Sequence, residues 1–294
     1  MRIDVDRIPA YAGELAAAGS GAPEFDAEHH FRGDVENTAG YVLCLDSINF
    51  GSGWFPSLLK RPGMSGYFTV STALKDLFDG GGWTPSQLTG LTGNDLAQVL
   101  GQNGNVAVAD LMEHFAAALV DLGHWVIDRF RGRYLDAVEA ANGSADRLVE
   151  LLIEMPLFRD VVDYRGQPLW LLKRAQLTAV DLSLAFDDSA PGSFTDMNEL
   201  TIFADNLVPH VLRTDGLLVY DDELAAGIEA GRLLAAGSMP EMEIRACAVH
   251  AVELLVAELD GRATAADLDY LLWNRGQAAH YRDRRRHRTR TTNY

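Results

Sequence analysis

The segment Leu45-Asp46-Ser47-Ile48-Asn49-Phe50-Gly51-Ser52-Gly53-Trp54-Phe55-Pro56 brings an acid, an amide and three aromatic rings to one glycine-rich turn. Aromatic faces stack on a planar heterocycle, while Asp and Asn side chains can meet its donor and acceptor edge. The same residues also suit a plain turn, with Asp46 as its cap and the rings in a core. Gly51-Ser52-Gly53 is not followed by Gly-Lys-Ser, so neither a phosphate loop nor a dinucleotide turn is indicated. A second acid, Asp205, precedes Pro209 in Leu200-Thr-Ile-Phe-Ala-Asp205-Asn206-Leu-Val-Pro209. Proline suits a first helical turn, where the helix dipole favours a carboxylate, and from these residues alone a simple helix cap is the leading account of Asp205. Lys173 and Arg174 lie inside the apolar stretch Trp170 to Gln176. Their stems can snorkel to water, or the pair can hold a phosphate monoester. The end of the chain, His280 to Tyr294, is densely basic and reads either as a solvated tail or as a docked source of cations. The eight histidines show no HExxH or similar ligand spacing, and His29-His30 lies in a polar, loop-like stretch. No metal is expected.

Helices must position most of these residues. Leu111–Phe130, Ala145–Ile153, Pro168–Phe186, Glu223–Leu234 and Glu241–Leu259 carry apolar residues at three- and four-residue spacing. Thr264, with Asp267 three residues later, predicts another helix start that continues through Leu268 to Trp273. Gly143-Ser144 and Gly237-Ser238 separate helical stretches. Tyr41–Ile48 and Tyr67–Val70 are weaker strand candidates, and Asp163 to Pro168 reads as a turn or a short hairpin. With no repeat, linker or composition break, the expectation is one mainly α domain over 1–294. The first 35 or so residues are expected to be peripheral, and the basic segment 280–294 docked.

Of 294 residues, 48% are hydrophobic and 23% charged, which leaves room for a substantial core and excludes a disordered tail or a fibre. Forty-two acids against 25 Lys and Arg give a formal charge of −17. Nucleic-acid affinity depends on Lys and Arg displacing counterions, so binding to long DNA or RNA is disfavoured. Cys44 and Cys247 sit in apolar runs without CxxC spacing and read as reduced, buried thiols. The acidic start Met-Arg-Ile-Asp-Val-Asp does not resemble a secretory signal, and no apolar run reaches the roughly 18 residues of a membrane span. A cytoplasmic protein without membrane contact is the expectation.

Several of these segments together resemble the queuosine salvage family, the queuosine 5′-phosphate N-glycosylases. They are Glu199-Leu-Thr-Ile-Phe-Ala-Asp205 with Pro209, Glu243-Ile-Arg245-Ala-Cys with Glu253, Leu271-Leu-Trp273, and His287-Arg-Thr-Arg290. Asp46-Ser47-Ile-Asn49-Phe50 and Lys173-Arg-Ala-Gln176 complete the set in order, from about residue 35 to the end. Members often carry Tyr and Gln where this chain has Asn206 and His210. The resemblance implies a helical domain similar to the helix-hairpin-helix DNA glycosylases, acting on a free nucleotide. The implied reaction hydrolyses queuosine 5′-monophosphate to queuine and ribose 5-phosphate. It implies Asp205 as the catalytic carboxylate and Asp46, Ser47, Asn49, Phe50 and Asn206 around the base. Lys173, His287, Arg288 and Arg290 would hold the phosphate, with no metal or organic cofactor. A monomer is expected, and an acidic pocket mouth would favour the cationic amine of queuine. Two rival readings remain: a DNA-repair glycosylase, against which the charge of −17 argues, and a non-catalytic binder of a modified base, which would have no use for Asp205.

Overall fold

The structure, a computed structural model, describes residues 1–19 and 23–294 and is mainly helical. A two-residue strand β1 (Arg2–Ile3) leads into α1 (Ile8–Ala18). Ile8, Tyr11, Ala12 and Leu15 recur at helical spacing and are all buried, so this N-terminal stretch is built into a core rather than peripheral. Next come α2 (Val35–Ser47) and α3 (Gly66–Asp79), which cover both segments expected as strands. Asp34 and Ser65 cap them by accepting the amides of Asn37 and Phe68. From Thr38 to Ser47 every residue of α2 is buried. A helix enclosed on all sides has no polar face, so its sequence carries no 3.6-residue alternation to separate it from a buried strand.

Five helices follow: α4 (Pro85–Leu88), α5 (Gly93–Val99), α6 (Ala109–Phe130), α7 (Tyr134–Glu139) and α8 (Ala145–Leu152). A hairpin of β2 (Val161–Tyr164) and β3 (Gln167–Trp170) then delivers the chain to α9 (Lys173–Ala185). The helix expected from Pro168 thus begins five residues later, because Pro168 lies in β3 and Leu172 turns through the left-handed region at φ +49°. The remaining elements are α10 (Val208–Thr214), β4 (Leu218–Val219), α11 (Asp222–Glu229), α12 (Met239–Leu259), α13 (Ala265–Arg275) and α14 (Ala279–Arg282). Strand β4 pairs antiparallel with β1, and the Thr264–Asp267 capping box starts α13 as expected. Among the described residues no helix is long and apolar enough to cross a membrane. Cys44 and Cys247 are both free thiols.

The apolar residues form two clusters. One gathers Leu43, Leu74, Phe115, Leu119, Leu148 and Leu182 from α2 to α9. The other gathers Tyr11, Val211, Ile244, Leu255 and Leu272 from α1, α10, α12 and α13. Each such buried side chain contributes roughly 1.5–3 kcal/mol. Between the clusters stands a buried ion pair. Arg245 of α12 donates Nη1 to Asp160 Oδ1 at 2.9 Å and Nη2 to Asp160 Oδ2, and its Nε reaches the carbonyl of Ala204 at 2.8 Å. Neither side chain is more than 2% exposed. Asp160 Oδ2 also accepts the amide of Lys173, so the pair sets where α9 begins.

Removing one member of a buried pair strands the other charge, which costs about 3–5 kcal/mol. Arg245→Met is therefore expected to lower unfolding free energy by that amount in urea titrations. A change under about 1 kcal/mol would show that the pair is dispensable.

Candidate active site

A cavity of about 360 Å³ opens between the two clusters. Helix α9 presents Lys173, Leu177, Val180, Asp181 and Leu184 to it, one stripe at helical spacing. Helix α2 and the turn after it supply Tyr41, Leu45, Asn49, Phe50 and Ser52. The loop before α10 supplies Phe203, Asp205 and Asn206, and α13 supplies Asp269, Tyr270 and Trp273. Arg286 and Tyr294 close the wall from the C-terminal segment.

Asp205 is held by its backbone surroundings. Its Oδ1 accepts the amides of Leu207 at 2.7 Å and Val208 at 3.1 Å, where α10 begins. Among the described residues no protein donor reaches its Oδ2. Three titratable groups feel the Asp205 carboxylate. Burial lowers the Lys173 ammonium, and Asp205 and Asp46 oppose that shift. Packing likewise lowers the Arg286 guanidinium, with Asp205 opposing. Burial and then the Asp205 charge push Asp269 well above the ordinary carboxylate range, although it accepts the Phe203 amide at 3.0 Å. The site thus alternates carboxyl groups with two cations around an aromatic-lined space. Tyr67, Phe68 and Trp273 form one end, with ring centroids 6.1 Å and 6.0 Å from Trp273.

Among the residues expected at the base, Asn49, Phe50 and Asn206 line the cavity. Asp46 and Ser47 do not, because both are fully buried behind it on α2. Asp46 Oδ1 accepts the Asn49 side-chain amide at 3.2 Å, and Ser47 Oγ donates to the Leu43 carbonyl at 2.7 Å. Among the residues expected at the phosphate, Lys173 lines the cavity, with Nζ 3.1 Å from the Asn49 carbonyl. His287, Arg288 and Arg290 lie outside the wall. His287 is buried with both ring nitrogens unpartnered among the described residues, and burial pushes it down to about 3, so it is neutral near pH 7. Arg290 faces outward, 5.5 Å over Trp54 and 3.9 Å from Asp110. Arg174 is sandwiched between Phe50 and Phe158 and donates to the Asp46 and Ser47 carbonyls, a packing role.

The glycine-rich turn serves a purpose that the sequence did not disclose. A Cβ on Gly53 would stand 2.3 Å from the Thr289 carbonyl oxygen, and the Gly51 amide donates to the Tyr294 carbonyl at 3.0 Å. The turn is the seat for the C-terminal segment, which in turn holds Arg286 at the cavity. Sequence reasoning also missed Asp181 and Asp269. Asp181 was legible as the acid eight residues after Lys173 on the same helical stripe. Asp269 gave no such signal, since it sits two residues after the capping Asp267.

Comparison with known proteins places this geometry in context. A family profile described as "Queuosine salvage protein" matches residues 29–294. A protein of Sphaerobacter thermophilus named queuosine 5′-phosphate N-glycosylase/hydrolase is 36% identical, across 99% of this chain and 92% of that protein. Proteins of the same name from Bos taurus and Dictyostelium discoideum are 29% and 30% identical. The match covers 89% of this chain and 84% of the Bos taurus protein, and 92% and 83% for Dictyostelium discoideum.

Neutral His287 makes stability depend on pH in a defined direction. Folded, it stays unprotonated down to about 3, whereas an unfolded histidine takes up a proton near about 6.5. Between these values the unfolded state binds more protons, so the His287 contribution is full above the upper value and declines as pH falls. The slope approaches about 1.4 kcal/mol per pH unit. Urea unfolding of His287→Phe at pH 7, 6 and 5 is expected to show a shallower acid loss than wild type. Parallel pH curves would contradict the neutral, buried assignment.

Proposed function

The chain belongs to the queuosine salvage protein family, and we propose that it hydrolyses the N-glycosidic bond of queuosine 5′-monophosphate. The products are the base queuine and ribose 5-phosphate. The observation that carries this reading is a carboxylate with one unengaged oxygen, Asp205, set between Lys173 and Arg286 in an aromatic-lined cavity. As the bond to the base lengthens, the ribose gains oxocarbenium character. Asp205 stabilises that charge and receives a proton from the attacking water.

Phe50 stacks on the 7-deazaguanine ring, and Asn49 and Asn206 meet its polar edge. Asp46 acts from behind by accepting the Asn49 amide and fixing its orientation. Lys173, which is buried, and Arg286, which borders the cavity from its exposed side, hold the 5′-phosphate. Arg286 thus takes the part that the sequence alone gave to His287, Arg288 and Arg290. The rings of Tyr67, Phe68 and Trp273 offer π faces to the cationic amine of the queuine arm. The free thiols Cys44 and Cys247 fit a reducing cytoplasm.

A formal charge of −17 argues against the DNA-repair reading, because a duplex would meet an acidic surface. Incubation with queuosine 5′-monophosphate, queuosine and a duplex carrying a damaged base separates the possibilities. The nucleotide is expected to react fastest, the nucleoside well below it, and the duplex not at all. Equal specificity constants for nucleotide and nucleoside would remove the phosphate site.

Two variants test the assigned roles. Asp205→Asn should reduce turnover at least about a hundredfold while queuine still binds. Near wild-type turnover would transfer the role to another acid. Arg286→Ala should weaken the nucleotide and narrow its advantage over the nucleoside, and an unchanged ratio would place the phosphate elsewhere.

A further inference from the structure

Two carboxyl groups meet in the wall between α2 and α9, and one of them has no use in the scheme above. Asp181 lines the cavity, whereas Asp46 stands directly behind it and is wholly buried. The two side chains are neighbours, each acting on the other's titration, and the Thr178 hydroxyl also lies beside Asp46. Asp46 Oδ1 accepts from Asn49, but its buried Oδ2 has no donor among the described residues. Nearby donors are engaged elsewhere. Arg174 donates to the carbonyls of Asp46 and Ser47, the Thr178 hydroxyl donates to the Arg174 carbonyl at 2.8 Å, and Lys173 Nζ lies on the Asn49 carbonyl.

A buried carboxylate oxygen facing a second carboxylate is repelled as well as desolvated. One proton between them removes both penalties and supplies the missing hydrogen bond. The charged and titratable groups facing the pair do not change this outcome. Lys173 and Arg174 of α9 are the neighbouring cations, Asp26 lies on the far side of Tyr41, and Asp269, itself held up by burial, raises Asp181 further. Tyr41 of α2, Tyr67 of α3 and His30 complete the surroundings. Burial holds Asp46 and Asp181 above the ordinary carboxylate range, with Lys173 opposing.

We propose that Asp46 and Asp181 share one proton, and that Asp181, the member exposed to the cavity, delivers it to the departing base as general acid. Asp46 is then a positioning residue that keeps the proton on its partner. The proposal rests on the glycosidase reading, and it answers a need of that reading. A 7-deazaguanine lacks the ring nitrogen that commonly takes a proton in purine hydrolysis, so an acid must meet its remaining acceptor edge.

The step balances. The bond from C1′ to the base breaks and its electron pair goes to the base. Asp181 gives its proton to that base, water adds its oxygen to C1′, and the water proton passes to Asp205. Solvent returns a proton from Asp205 to the pair, so water is the single co-reactant. Asp269 is less suited to the role, because it accepts the Phe203 amide and lies beside Asp205 at the hydrolytic end.

The test follows kcat for queuosine 5′-monophosphate against pH in wild type, Asp181→Asn, Asp46→Asn and Asp269→Asn. Asp181→Asn should lose about a hundredfold in kcat, and with it the alkaline limb of the profile, while queuine affinity changes only a few-fold. Asp46→Asn should shift the alkaline limb to lower pH, since the charge that held the proton on Asp181 is gone. An unchanged kcat and alkaline limb in Asp181→Asn would overturn the proposal, as would a limb abolished only by Asp269→Asn. Infrared spectra of the apoprotein near pH 7 give a readout independent of turnover. The carbonyl stretch of protonated carboxyls near pH 7 should lose in Asp181→Asn a component that Asp269→Asn leaves in place. If wild type releases no queuine, the glycosidase reading and the acid role fail together. The shared proton then stands or falls on that band alone.

Discussion

The contact between Arg245 and Asp160 decides where the rest of the site can be. It is a bidentate ion pair between two fully enclosed side chains, and such pairs hold only when their remaining hydrogen-bonding capacity is also filled. Here it is filled by the parts that matter. The third guanidinium contact goes to Ala204, the residue before Asp205, and the spare capacity of Asp160 takes the Lys173 amide. The ring of Tyr294 covers the guanidinium face, with the arginine carbon 4.5 Å from its centroid. A single interaction thereby registers α12, the start of α9, the Asp205 loop and the C-terminal segment against one another.

The chemistry follows from what this registration leaves at the join. Two apolar clusters cannot close over the polar ends of α9, α10 and α13, so a cavity remains with carboxyl groups and cations facing across it. Desolvation there makes each charge depend on its neighbours. Lys173 and Arg286 are held as cations partly by Asp205, and they are the groups best placed for a phosphate once a nucleotide enters. Asp205, tied at one oxygen by two backbone amides, is oriented before substrate arrives, which suits electrostatic stabilisation of a developing ribosyl charge.

Much of the helical character was legible, because α6, α8 and α12 each present a buried stripe at helical spacing. Helix α2 was not, since burial on all sides erases the alternation that separates helix from strand. Within the site, Asp205, Lys173, Asn49 and Phe50 stood out as polar or aromatic residues next to helix ends and turns. Ser47 and His287 stood out equally, yet both point into packed interior, a distinction that depends on tertiary contacts. Arg286 lay within a run of cations, and nothing local shows which of Arg284 to Arg290 borders the cavity. That choice is made by the Gly51–Gly53 turn, more than 230 residues earlier, where the absence of a side chain lets Thr289 dock.

The most direct measurement is a crystal structure of the Asp205→Asn variant soaked with queuosine 5′-monophosphate. An intact nucleotide is expected, with its phosphate between Lys173 and Arg286 and its base against Phe50. The anomeric carbon should lie about 3–3.5 Å from the residue 205 side chain, the separation of a reacting pair. A nucleotide bound with its phosphate at the Tyr67–Trp273 end, or with the ribose out of reach of residue 205, would contradict it.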